Sequence, residues 1–313
     1  MTAQPGLSLS ALPLSRHELD RDYLSRARPE LFDELWADAA TRVIVLSKGK
    51  ALLASPTSLA LLPAASAPRS DLLLYLGQSL AEDSAGAPLV AAIVDEATAA
   101  ALSEDPGDWG ELRTISTRLS DFDAGLFTAA LALNNWHRSH RFHPATGAPT
   151  VPELGGWVRR SEGGGEVFPR TDPAVIVGIV DSQDRILLGS NANWDKNRYS
   201  LLAGFVEPGE SLENAVIREV FEESGVRVKD PVYLGSQPWP FPASIMIGFM
   251  ATVEDDAQSR LRPDGEEILD LRWFSRDELT AALSEIGLPG HPSIARAILE
   301  HWYGGPIVDS VIW

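Results

Sequence analysis

The chain has 313 residues, 44% of them hydrophobic, enough for about two folded cores. Its 44 acidic against 26 basic residues leave a formal net charge of −18, which repels extended polyanions and excludes a broad basic footprint for duplex nucleic acid, though not recognition of a nucleic-acid end. There is no cysteine, which excludes disulfides and thiolate zinc sites.

In chain order, residues 1–20 lack a basic region followed by a sustained apolar run, and no stretch approaches about 18 uninterrupted apolar residues. A soluble, cytoplasmic protein with no membrane partner is expected. Short β-type runs follow, TRVIVL, DLLLYLG at 71–77 and PLVAAIV at 88–94, punctuated by Pro, Gly, Ser and Ala. They predict a small β-rich domain over 1–139, closed by a helix over 119–138 that Ser120 caps. Residues 140–170 are rich in Gly and Pro and predict a linker or small loop module, with His140 and His143 as solvated loop residues rather than ligands.

From Ala174 the pattern becomes strand AVIVGIV, turn DSQD, strand RILLG, a loop and SLLAGF. After a helix come VYLGSQ, the loop PWPFPAS, the long apolar IMIGFMATV and DLRWF. Ser275 and Glu278 fit a capping box, and a last helix is predicted over 293–302. The order βββαβββαα suits a mixed α/β sandwich (α+β in the broader class) over 171–303, leaving a tail at 304–313.

The most informative stretch is GFVEPGESLENAVIREVFEESGV, 204–226. On a helix Glu219, Glu222 and Glu223 stand at i, i+3 and i+4, so their carboxylates share one face, while Val216, Ile217, Val220 and Phe221 are predicted to bury against a sheet. Like charges at that spacing repel by a few tenths of a kcal/mol per pair, so the arrangement calls for a cation between them. Hard oxygen ligands favour Mg2+ or Mn2+, which commonly bridge protein carboxylates to a diphosphate. Gly204, Pro208 and Gly209 permit a tight turn before the helix, Ser211 is the predicted N-cap and Gly225 the stop.

This stretch matches GX5EX7REUXEEXGU, U being a bulky aliphatic, at every specified position, and so resembles the box of the Nudix hydrolases. The resemblance implies a mixed sheet between helices and hydrolysis of a nucleoside diphosphate linked to another group. It implies that Glu219, Glu222 and Glu223 bind metal with the Ala203 carbonyl, and that Arg218 holds the carboxylates. A second stretch, SQPWPFPAS at 236–244, is stiffened by three prolines and offers the flat faces of Trp239 and Phe241. It is similar to the SQPWPFPxS signature of NADH pyrophosphatases. FHPATGAP resembles a zinc-ribbon opening, FCPxCGxP, with His143 and Thr146 where cysteines would stand, so no structural zinc is expected.

Together these motifs imply an NADH-pyrophosphatase-like N-terminal domain, a ribbon without cysteines and a Nudix domain. They imply a substrate pocket lined by Gln237, Pro238, Trp239, Pro240, Phe241, Pro242, Ala243 and Ser244, with Phe168 and Phe205 stacking on a base. They further imply a metal-binding Glu267, next to the alternative Glu266, and a backbone contact from Ala295. The implied activity is cleavage of NAD(H) to nicotinamide mononucleotide and AMP by a homodimer, and removal of NAD caps from RNA 5′ ends. Hydrolysis of ADP-ribose or another dinucleotide is the alternative. A non-catalytic nucleotide sensor would have no need of three metal-binding glutamates.

Overall fold

A computed structural model describes residues 6–7, 12–255 and 260–308, so residues 309–313 of the expected tail lie outside the described residues. The chain divides into two compact units, Pro13–Thr171 with Trp239–Ala243, and the residues through Leu12 with Asp172–Pro238 and the chain from Ser244. Among the described residues no helix is long and apolar enough to cross a membrane.

In the N-terminal unit the three β-type runs become Arg42–Ser47, Leu72–Ser79 and Pro88–Ile93 of an eight-stranded sheet. Pro88–Ile93 lies parallel to Arg42–Ser47 and antiparallel to Leu72–Ser79. Alternate residues face opposite cores. Ile44 and Leu46 pack with Phe127 and Leu131 of the helix Asp121–Ser139, whereas Val43 and Val45 pack with Leu31 and Leu35 of the helix Leu31–Ala37. Cover on both faces is why these strands read as continuous apolar runs rather than as alternation. Ser120 caps the long helix by accepting from the Asp123 amide.

Residues 150–167 form a three-stranded antiparallel sheet, Thr150–Glu153, Val158–Ser161 and Glu166–Val167, where a linker or loop module was predicted. Its fastening is a buried Arg159 that, among the described residues, bonds neutral acceptors rather than a carboxylate. Nε donates to Thr150 Oγ1 at 2.8 Å and Nη1 to His137 Nδ1 at 2.8 Å. His137 therefore carries its proton on Nε2 and donates it to the Gly156 carbonyl, 2.8 Å away. Burial, with the Arg159 charge adding to it, lowers the His137 pKa to about 4, so the ring stays neutral. On the surface Arg160 bridges Glu153 and Glu166 across the three strands. In the preceding loop His143 Nδ1 accepts from the Ala145 amide and Thr146 Oγ1 from the Ala148 amide, both at 3.3 Å. These contacts lie far apart in sequence or within polar side chains, so apolar periodicity carries no trace of them.

The C-terminal unit holds a six-stranded mixed sheet. Asp172–Val180 runs parallel to Ser244–Val253 and antiparallel to Leu202–Phe205 and Ile186–Asn191; the last pairs with Ile268–Phe274. Val175, Val177 and Ile179 face Ala215, Val216 and Val220 of the helix Leu212–Ser224. Ile176 faces the opposite core with Leu279, Ile294 and Ile298 from the helices Arg276–Ala282 and Ile294–Tyr303. Layers of helix, sheet and helix result, and the Ser275–Glu278 capping box is formed.

Arg159→Leu leaves buried acceptors on His137 and Thr150 unpaired and should cost about 1–3 kcal/mol of unfolding free energy. Arg160→Ala removes only exposed ion pairs and should cost less. Denaturant unfolding of both variants checks the order, and equal or reversed losses would contradict it.

Candidate active site

The strand Leu202–Phe205, the loop after it and the helix Leu212–Ser224 bring the acids together. Gly209 turns the loop at φ 90°, Ser211 Oγ accepts from the Asn214 amide at 3.2 Å, and Gly225 ends the helix at φ 71°. Gly204 has a steric task, because a Cβ on it would overlap the Glu219 carboxylate. Only a bare backbone lets the helix acid lie against the strand.

Arg218 is the cation of this arrangement. It donates to both oxygens of Glu210 at 2.8 Å, to Glu222 at 2.9 Å and to the Phe205 carbonyl at 3.0 Å, and it pairs with Glu219 at 3.0 Å. Hydrogen bonds from Arg218 hold Glu210 below its usual pKa, and Glu210 in return is the largest cause raising that of Arg218. Glu222 remains mostly exposed. Val216 and Val220, one turn apart, are fully buried. Contrary to the sequence expectation, Ile217 is 38% exposed and Phe221 is only half-buried, its ring under the Arg227 guanidinium at 4.6 Å. Ile217 lies about 100° around the helix from Val216, outside the stripe that meets the sheet.

Glu223 is different from its neighbours, being 5% exposed and beyond the reach of Arg218's hydrogen bonds. The Ala203 amide serves its carboxylate, yet Oε2 has no hydrogen-bond partner. Burial, followed by the charges of Glu267, Glu219 and Asp264, pushes its pKa up to about 8. Burial also raises Glu219, against the pull of Arg218 and with help from Glu222 and Glu267. Glu267 is exposed on the turn before Ile268–Phe274. Among the described residues no three His, Cys, Asp or Glu side chains form a ready metal cage. The donor set nevertheless fits a hard divalent cation: all donors are oxygens, they repel one another, and one buried oxygen lacks any partner.

The NUDIX domain pattern matches residues 169–297, and that of the NADH pyrophosphatase-like rudimentary NUDIX domain matches 40–136. The chain carries a Nudix domain. It is 46% identical over 208 residues to proteins named NAD-capped RNA hydrolase NudC from Mycobacterium bovis and Mycobacterium tuberculosis, a match covering 63% of this chain and 66% of each relative. It is 35% identical over 200 residues to the human NAD-capped RNA hydrolase NUDT12, covering 59% of this chain and 43% of the human one. The match thus spans slightly under two thirds of the mycobacterial proteins.

The loop at 236–244 leaves the Nudix unit after Pro238 and returns at Ser244. Gln237 is fully buried; its Nε2 donates to the Pro292 carbonyl at 2.8 Å and its Oε1 accepts from the Ile294 amide at 2.7 Å. Both ends of that amide are spent on the chain at Pro292 and Ile294, where the helix Ile294–Tyr303 begins, so the Gln237 side chain anchors the loop. Within the N-terminal unit, Trp239 and Phe241 meet edge to face at 5.1 Å, with the Arg113 guanidinium 5.4 and 5.8 Å from their ring centres. Asn135 donates to the Pro240 and Pro242 carbonyls at 2.9 and 3.2 Å. Pro240 is buried, Pro238 and Pro242 are exposed and Ala243 is half-buried, while Ser244 opens its strand opposite Asp172. Ala295 is buried, and its amide already donates to Ser293 Oγ at 3.1 Å. Phe168 and Phe205 are 61% and 60% exposed, the first in the N-terminal unit and the second in the Nudix unit. Sequence reasoning singled out neither Arg113 nor Asn135, since neither belongs to a local motif. Asp264 was also missed, although Asp-Gly before DLRWF is a turn signal.

Gly204→Ala should displace the Glu219 carboxylate and weaken divalent-metal binding about tenfold or more while the protein stays folded, because the obstructed group is the end of a flexible side chain. Metal titration with thermal melting checks both halves, and unchanged binding would contradict it. Metal-free protein should also lose stability as pH rises. Glu223 binds its proton more tightly folded, to about 8, than unfolded, about 4.3, so its contribution is whole below that range and lost across it, by at most about 1.4 kcal/mol per pH unit. Glu223→Gln should flatten that slope in urea titrations between pH 5 and 8, and an unaltered slope would argue against this assignment.

Proposed function

We propose that this chain is a metal-dependent hydrolase that splits the diphosphate of NAD(H) with water, yielding nicotinamide mononucleotide and AMP, and that removes NAD caps from RNA 5′ ends by the same cleavage. The observation that carries the reading is the buried, partnerless oxygen of Glu223 beside Glu219 and Glu267, in a Nudix box whose glycine is required by the seating of Glu219. The relatives' names, NAD-capped RNA hydrolase, and the SQPWPFPxS signature support the choice of dinucleotide.

Glu219, Glu223 and Glu267, with Glu222 and the Ala203 carbonyl at the margin, are the groups that would hold Mg2+ or Mn2+. Such an ion lowers the pKa of bound water and neutralises charge on the diphosphate oxygens. The chain's own contribution is to keep Glu223 dry, to hold Glu210, Glu219 and Glu222 on Arg218, and to fix the signature loop through Gln237, so that anhydride and water meet in one orientation. Water supplies the new P–O bond, and the bridging P–O bond breaks. No covalent enzyme intermediate is needed. Exposed Phe168 and Phe205 suit base stacking, and the family resemblance supports a cytoplasmic homodimer.

The test is product analysis on a panel of NADH, NAD+, NAD-capped RNA and ADP-ribose with added Mg2+ or Mn2+. Release of nicotinamide mononucleotide, falling about a hundredfold or more in Glu223→Gln, supports the proposal. Activity confined to ADP-ribose, or a fully active Glu223→Gln protein, overturns it.

A further inference from the structure

Glu267 faces a difficulty that Glu219 and Glu223 do not share. It is exposed on a turn, it is repelled by both of the other acids, and nothing in the Nudix box holds it. Left to itself such a side chain would swing toward solvent, where its rotamer entropy is largest.

Two structures oppose this. Asp264 Oδ1 accepts the amides of Glu266, Glu267 and Ile268 at 3.0, 3.0 and 2.8 Å, and Gly265, at φ 79°, closes the turn by donating to the Ile268 carbonyl at 3.1 Å. That fixes the Glu267 backbone. The side chain is met from the neighbouring strand. The register between Ile186–Asn191 and Ile268–Phe274 shifts at Ser190 and Asn191: Ser190 lies opposite Asp270 and Asn191 opposite Ile268, so Leu269 is bulged out. At this irregularity the Ala192 amide donates to the Glu267 carbonyl at 2.8 Å, and Asn191 Nδ2 donates to Glu267 Oε1 at 3.3 Å. Asn191 Oδ1 is itself fixed by the Asn193 amide at 2.9 Å, which leaves the amide nitrogen directed outward. A bulge that re-aims one side chain is a common device beside active sites.

We propose that Asn191 is a positioning residue for the Glu267 carboxylate, holding one oxygen through a neutral donor so that the acid stays turned toward Glu219 and Glu223 and retains its charge for a divalent cation. A Lys or Arg in its place would neutralise Glu267 and compete with the ion, whereas an amide orients the acid and leaves the charge available. The inference rests on the proposed metal-dependent reading of this carboxylate set.

The test is a double-mutant cycle read by Mn2+ binding to the metal-free protein, with unbound Mn2+ followed by electron paramagnetic resonance and no substrate present. Asn191→Ala should raise the Mn2+ dissociation constant about tenfold, and in a Glu267→Gln background it should add nothing, since its effect passes through that acid. Asn191→Ser keeps an acceptor for the Asn193 turn but is too short to reach Glu267, and should reproduce the loss even if the alanine variant folds poorly. An unchanged dissociation constant in both single variants overturns the inference, as does an equal shift in the Glu267→Gln background. If Glu267→Gln alone binds Mn2+ as the unmodified protein does, the place of Glu267 in the metal-binding set fails, and this inference with it. If Asn191 variants bind normally while Glu267→Gln binds weakly, the metal reading stands and only the inference falls.

Discussion

The arrangement depends on mutual repulsion held in check. Arg218 gathers Glu210, Glu219 and Glu222, while Glu223 feels the charges of Glu219, Glu267 and Asp264 without that guanidinium's hydrogen bonds. Glu223 is left buried with an orphaned oxygen and, through burial first, a proton affinity raised above that of an ordinary carboxylate. A chain selected for stability alone would have given Glu223 a basic partner of its own or placed an apolar residue at 223. The cost is concentrated where a cation would repay it, and the surrounding sheet has to be rigid enough to sustain it.

Rigidity comes from cover on both faces. Asp172–Val180, the strand against which Leu202–Phe205 pairs, buries Val175 and Val177 under the Glu-bearing helix and Ile176 under the last one. Each such side chain contributes about 1.5–3 kcal/mol by leaving water. Neither the box strand nor the box helix can shift without opening one of these cores. Gln237 extends the same constraint to the signature loop, because its side-chain amide is tied to the start of Ile294–Tyr303.

The three-stranded sheet at 150–167 and the loop before it show another route to order in a small polar module. Arg159, buried among neutral acceptors, ties the three-stranded sheet to the helix Asp121–Ser139 through His137, and the His143 and Thr146 side chains close their own loop on backbone amides. A neutral His137 is essential to this bond, since an imidazolium could not accept from Arg159.

What sequence alone determined were the features written locally. Apolar runs located the main strands of the two larger sheets, a single spacing pattern placed the acids on one helix, and Ser120, Ser211 and Ser275 marked helix starts because a cap acts within three residues of itself. The same spacing could not tell Glu223 from Glu222: both lie on the acidic face, and only the sheet beneath decides that one is dry and the other solvated. Nor could helical periodicity show that Ile217 lies outside the buried stripe. The motif that singles out Gln237 is contiguous, yet the side chain's partners at 292 and 294 are met only after the chain returns. Arg113, Asn135, Arg159, Asn191 and Asp264 bear on loops and acids through hydrogen bonds and cation–ring contacts, many of them to distant residues. Such contacts are short-ranged in space and leave no period in the sequence, so only the tertiary structure could decide them.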